Sequence, residues 1–294
     1  MRLGGLLILV LIAFAGNSVL NRLGLIGEGA IGALEFATIR VIAGAVTLAV
    51  LLRLRDRTRE RRRHAPTRAQ LAAAGALTLY LLGFSFAYLT LPAGLGALIL
   101  FGGVQVTMFA GAVLGGEAVP RARWLGAAMA FAGLAYLLWP SGPGAPDLMG
   151  AALMTAAAFG WGVYSLLGRG SADPLADTAR NFLYATLPVG VVLLARGAGG
   201  PPPDIAFEGV AYAVASGAIT SGLGYALWFR VLPSLAPSTA AVAQLTVPLI
   251  AMAGGMVFLA EPLTLRFAIA SVIVLGGVAY AVLAPARAAK RDVT

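Results

Sequence analysis

The sequence predicts an all-α membrane protein: ten transmembrane helices in two inverted five-helix repeats, with both termini cytoplasmic. Three observations predict it. Hydrophobic residues fill 60% of the 294 positions and charged residues only 11%, where a soluble domain carries about 25% charged residues. The one long polar stretch, Arg53 to Arg68, holds eight arginines in sixteen residues and lies between apolar segments of spanning length. Lys and Arg beside span ends resist translocation, so this loop stays on the cytoplasmic side and orients the rest by alternation. Finally, the chain resembles itself after a shift of 144 residues.

Composition also excludes classes. A net charge of +9 would suit nucleic acid, but the positives sit in short loops beside apolar spans, so no nucleic-acid partner is expected. There is no cysteine, and the single histidine, His64, lies in the basic loop. Disulfides, thiolate chemistry and Cys-based metal sites are thereby excluded, and no metal or cofactor is expected. The partners expected are a small-molecule substrate and the lipid bilayer.

At about 20 apolar residues per span, the helices fall in order. The first runs from Gly4 to Leu20; it has the shape of a signal peptide, with Arg2 ahead of it, but the repeat needs it as a full member. The second, Ile31 to Leu52, carries Glu35 and Arg40. After the basic loop come Leu71 to Leu91 and Gly94 to Leu114, joined by a Pro92-Ala93-Gly94 turn, then Trp124 to Trp139. A break rich in Pro and Gly, Pro140 to Pro146, separates the halves, residues 1–140 and 141–294. The second half holds Leu148 to Gly168, Asn181 to Leu194, Phe207 to Val231, Pro237 to Leu259 and Leu265 to Leu283.

The charges test the count. Seventeen Lys and Arg fall on the cytoplasmic side, three (Arg22, Arg196, Arg266) fall outside, and Arg40 lies within a helix. A miscounted helix would scramble this bias. In the repeat, Met108 falls on Met252, Glu117 on Glu261 and Gly133-Leu-Ala-Tyr136 on Gly277-Val-Ala-Tyr280. Seven of the 29 positions from Met108 to Tyr136 are identical. Five helices per unit is an odd number, so the second unit enters the membrane from the opposite side. Inverted repeats are a common construction of secondary transporters, with substrate near the midplane between the halves.

These residues resemble the drug/metabolite transporter superfamily, in its ten-helix EamA-type branch. The resemblance rests on Phe-Gly-Trp161-Gly162-Val-Tyr164, on Arg40, on Phe86-Ala87-Tyr88, and on the Gly116-Glu117 and Glu261-Pro262 hinges. It covers essentially the whole chain. One departure is in helix one, where the Trp often found before Gly16 is Ala15, with Asn17 just beyond. The resemblance implies an exporter of amino acids or similar metabolites, working across a bacterial inner membrane.

Polar and aromatic groups inside spans are the candidate substrate ligands, because polar groups in hydrocarbon usually face a cavity or a partner. Helix six offers Trp161, Tyr164 and Ser165; helix eight offers Ser221, Tyr225 and Trp228, both sets at helical spacing. Tyr80, Phe84 and Tyr88 form a stripe in helix three. Asn17, Phe101, Gln105 and Gln244 complete the set. Converging, these faces would make an apolar pocket with a few amides and hydroxyls, suited to aromatic and other neutral amino acids. Amphipathic drug-like compounds are the alternative substrate class. An intramembrane enzyme or a scaffold is the rival class, and the chain offers neither a nucleophile with a base nor a soluble output domain.

Structural or gating roles are expected for Arg40, Glu117, Glu261 and Pro248, with the two glutamates capping helices five and ten. Apart from Glu35 no acid lies clearly inside a span. Proton relays need such groups, so alternating access by uncoupled facilitated flux is expected. Gly111-x-x-x-Gly115 suits contacts within the fold or between copies; the oligomeric state stays open, a monomer included.

Overall fold

A computed structural model describes residues 3–56, 67–116, 119–140, 142, 145–168, 171–197, 205–235 and 243–291, with side chains as far as 283. Every regular element among the described residues is helical: α1 (Leu3–Leu25), α2 (Ala33–Arg55), α3 (Arg68–Ala87), α4 (Ala93–Leu114), α5 (Arg121–Leu138), α6 (Leu148–Leu167), α7 (Pro174–Gly197), α8 (Phe207–Ser234), α9 (Val247–Leu259) and α10 (Leu265–Arg291). Eight of these are long and apolar enough to cross a membrane, and α9 is apolar but shorter.

Three helices differ from expectation for physical reasons. Helix α1 continues past Leu20 because Asn21 and Arg22 are satisfied inside the protein and need no water. Asn21 donates to Ser216 Oγ at 3.2 Å, and Arg22 pairs with Glu261. Helix α7 begins seven residues early, where Asp173 accepts from the Ala176 N–H (3.1 Å) and Pro174 occupies the first turn, a favourable helix start. The ninth helix is interrupted: residues 243–244 are helical, Leu245 and Thr246 form a turn, and α9 starts at Val247. Pro248 lacks an N–H and clashes with a preceding turn, so it suits a first turn rather than a helix interior. Residues 237–242, most of the arginine-rich loop, and Glu117 lie outside the described residues.

The loops sort onto two opposite faces. On one, Arg55 at the end of α2 grips Asp173 ahead of α7 through bonds of 2.8 and 2.6 Å. On the other, Thr90 bonds Asp147 at 3.0 Å, Arg196 pairs with Glu35, and Arg22 meets Glu261 at 3.3 Å. Alternation of ten spans places each of these loops on the face where it is found. Packing follows a pattern as well. Helix α2 packs on α7, α4 on α9 and α5 on α10. The α3–α6 contact has its counterpart in α8–α1, α4–α6 in α9–α1, and α2–α8 in α7–α3.

Close helix approach depends on small residues, as is usual where lipid supplies no hydrophobic drive. At the α3–α6 crossing a Cβ on Gly83 would lie 2.8 Å from the Leu153 carbonyl oxygen, and one on Gly160 2.7 Å from that of Ala76. Gly111 faces Leu166 of α6, so it serves a contact within the fold.

The Glu261 end is tied by one buried network. Helix α9 stops at Ala260, whose left-handed φ of 51° turns the chain back and lets the Glu261 N–H reach the Gly255 carbonyl. The Glu261 carboxylate then accepts the Ala93 N–H at 2.8 Å, at the start of α4. Glu261 therefore caps α4, not α10; the Thr264 hydroxyl accepts from the Phe267 N–H and caps α10. Arg22 completes the network by donating to the carbonyls of Tyr88 (2.8 Å) and Leu89 (2.9 Å) beyond α3. Burial raises the Glu261 carboxyl from its ordinary range, against the Ala93 N–H and Arg22, which lower it.

Candidate substrate cavity

The aromatic residues of α1, α3, α6 and α8 meet at the centre of the bundle. Trp161 of α6 is the hub, with its ring centroid 4.9 Å from Tyr80, 5.4 Å from Tyr164 and 5.1 Å from Tyr225. Tyr80 continues into Phe84 and Phe84 into Tyr88, at 5.2 and 4.7 Å, so the α3 stripe forms one stack. Phe14 of α1 sits edge-on to Tyr225 and Trp228, 5.9 Å from each.

A cavity of about 30 Å³ lies among them. Seven of the residues expected from sequence line it: Asn17, Tyr80, Phe84, Phe101, Trp161, Tyr225 and Gln244. Phe14, Ser18, Leu100 and Thr220 also line it and were not singled out from the sequence. Phe14 and Leu100 carry no polar signal. Ser18 and Thr220 were detectable as hydroxyls inside spans. The space holds a water or two; an amino acid requires the walls to part.

The other expected residues sit elsewhere. Tyr88 is fully buried at the Glu261 end, where its hydroxyl donates to the Ala93 carbonyl (3.2 Å). The Tyr164 hydroxyl reaches Thr178 of α7 (3.4 Å), and Ser165 bonds back to the Trp161 carbonyl (2.7 Å). Gln105 is half-buried one turn beyond Phe101. Trp228 packs on Phe14 outside the cavity wall. Pro248 is buried in the first turn of α9. Ser221 is fully buried against Arg40.

The placement of Ser221 follows from a change of pitch in α8. Residues Ser216–Leu223 are π-helical, a widening frequent at functional sites, so regular spacing does not hold through α8. It turns Ser216 toward Asn17, whose Oδ1 accepts the Ser216 hydroxyl at 2.7 Å. The Asn17 amide nitrogen donates to the Tyr80 hydroxyl at 3.3 Å. Arg40, with no exposed surface, donates from Nη2 to the same hydroxyl (2.8 Å) and from Nε to Ser221 Oγ (3.4 Å). Its guanidinium carbon lies 5.2 Å from the Tyr80 ring centre and 4.8 Å from that of Phe84. Arg40 thus stands behind the cavity wall, in contact with two of its rings.

Glu35, the acid expected inside a span, is at the Glu261 end beside Arg196 and does not line the cavity. No carboxylate lines it among the described residues. Nor does any group of three or more His, Cys, Asp or Glu among them stand ready to hold a metal.

Comparison with known proteins fits this architecture. The family model of the EamA-like transporter family matches residues 148–283, which span α6 to most of α10. The chain is also 46% identical over 280 residues to the uncharacterized protein PA1977 of Pseudomonas aeruginosa, covering 95% of this chain and 94% of that one. The chain belongs to the EamA-like transporter family. Among the solved structures that share the fold is a crystal structure with a TM-score of 0.66 at 20% identity, over 94% of this chain and 96% of its own. Membership makes this EamA-like chain a multi-pass membrane transporter of small molecules.

Proposed function

We propose that this transporter moves aromatic and other large neutral amino acids out of the cytoplasm, across a bacterial inner membrane, by alternating access at the central cavity. The observation that carries the reading is the aromatic box, Trp161 with Tyr80, Tyr225 and Phe14, contributed by helices of both halves and edged by the amides of Asn17 and Gln244. Such walls accept flat or branched side chains, and the few polar groups orient the head of the molecule. Residues 1–140 and 141–294 act as two inverted repeats, a reading supported by the packing pattern in which helix n and helix n+5 exchange. The Arg55 face is cytoplasmic, by the arginines gathered there. The Glu261 face is then the outer one, and its buried network makes the described state closed to the outside. That no acid lines the cavity among the described residues supports flux without proton coupling.

The test uses purified protein in liposomes loaded with a mixed amino-acid panel, with efflux followed compound by compound. Phe, Trp, Tyr, Leu and Met should leave faster than from protein-free vesicles. The rate should not respond to an imposed pH gradient. Absence of selective efflux overturns the amino-acid reading, and uphill movement driven by a pH gradient overturns the uncoupled one.

A further inference from the structure

Behind the cavity wall stands a positive charge that no carboxylate among the described residues opposes. Arg40 is completely buried, and its Nη1 has no hydrogen-bond partner. A guanidinium does not give up its proton inside a protein, and buried charges are ordinarily paired. Among the described residues the buried acids are Glu35 and Glu261, held by Arg196 and Arg22. Among the described residues Arg40 receives only the Tyr80 and Ser221 oxygens and two ring faces.

The Tyr80 hydroxyl passes this charge to the cavity. Its oxygen accepts from both Arg40 and Asn17, which occupies its two lone pairs. Its own hydrogen can then only be donated, and its partner in this state is the Tyr225 hydroxyl, which a substrate carboxylate would displace, since both tyrosines line the cavity. A hydroxyl that accepts from a cation is a stronger donor in turn. Asn17 is locked in this orientation because the Ser216 hydroxyl holds its oxygen. An aromatic chamber alone suits a cation as readily as a neutral ring. Arg40 decides between them, since it occupies the Tyr80 and Phe84 faces and repels a second positive charge.

We propose that the site recognises its substrate by a carboxylate, received by the Tyr80 hydroxyl with Arg40 behind it, and gives the ammonium group no counter-charge. The inference rests on the cavity being the transport site. Arg40 acts through Tyr80, so it is a positioning residue, and Tyr80 touches the ligand. It follows that a deaminated aromatic acid binds at least as well as the amino acid, while the decarboxylated amine is rejected.

Direct binding to the purified full chain in detergent at pH 7 tests this with four probes: L-phenylalanine, 3-phenylpropanoate, its neutral amide 3-phenylpropanamide, and phenethylamine. The acid and the amino acid should bind at least tenfold more tightly than the amine, and the acid more tightly than its amide. Tyr80→Phe keeps the ring and should bring the acid-to-amide ratio close to one. A purely structural role for Tyr80 would weaken acid and amide together and leave their ratio intact. Arg40→Met should reduce the same ratio without touching the wall directly. If the amine binds as tightly as the acid, or Tyr80→Phe leaves the ratio unchanged, the carboxylate proposal falls while the carrier reading stands. If none of the four binds and no amino acid leaves the liposomes, the amino-acid reading falls and takes this inference with it.

Discussion

The Glu261 network and the Arg40 site are both buried charges in a lipid-embedded bundle, yet one is a closed circuit and the other is open. Glu261 accepts from a helix N-terminus and a guanidinium, and Arg22 donates from Nη1 to two carbonyls beyond α3. Among the described residues Arg40 touches no carboxylate and leaves Nη1 without a partner. A satisfied network contributes stability and holds helix ends together. An unsatisfied one costs stability, and it persists where something from outside completes it. The first therefore reads as a latch and the second as a receptor.

The largest effect is expected from opening the closed circuit. Glu261→Ala leaves the Ala93 N–H and part of Arg22 buried without acceptors, and removing one partner of a buried pair costs about 3 kcal/mol. Glu261→Gln keeps an acceptor for Ala93 and should cost about 1 kcal/mol. Denaturant unfolding in micelles measures both. Because burial raises this carboxyl in the folded state, the folded state binds a proton more readily than the unfolded one. Stability should then decline as pH rises through the window just above the ordinary glutamate value. Equal stability of wild type and Glu261→Ala would break the contrast at its first member.

The open circuit should respond in the opposite way. Arg40→Met removes a lone buried charge and replaces it with a flexible apolar chain of similar length. Exchanging buried charges for packed apolar groups is often neutral or stabilising, so the change should be under about 1 kcal/mol while flux falls to the level of empty liposomes. A loss of stability as large as that of Glu261→Ala would make Arg40 a structural residue.

Much of this was legible in the sequence. Span positions followed from apolar length, and the sorting of loops onto two faces from the alternation of the spans. The aromatic stripe of α3 and Trp161 stood out because rings in mid-span have few roles beyond packing and binding. What could not be read were exchanges between distant elements. Glu261 precedes helix ten in sequence and looks like its cap, but the left-handed turn at Ala260 sends it to α4. Asn21 and Arg22 read as a loop because Ser85, Ser216, Tyr88 and Glu261, which hold them inside the protein, are more than sixty residues away. The π-helical pitch of α8 carries no signal in a string of small residues, so regular spacing put Ser221 beside Tyr225 and Trp228 instead of against Arg40.

A third charged site sharpens the comparison by removing burial. Arg55 and Asp173 are bonded as well as Arg22 and Glu261, but their side chains are 40% and 37% exposed. Water and salt screen such a pair to about 0.5 kcal/mol. Asp173 also accepts from the Ala176 N–H at the start of α7, a capping bond of about 1 kcal/mol. Asp173→Asn keeps the cap and should lose about 0.5 kcal/mol, while Asp173→Ala should lose about 1.5 kcal/mol. Arg55 holds the Asp173 carboxyl below the ordinary aspartate range. Its contribution is therefore complete above that range and disappears as pH falls through and beneath it. Salt at about 1 M shortens the screening length to about 3 Å and should erase the Asp173→Asn difference while leaving that of Glu261→Ala. If salt erased both, the Glu261 network would be a surface pair like this one, and the closed circuit would not latch anything.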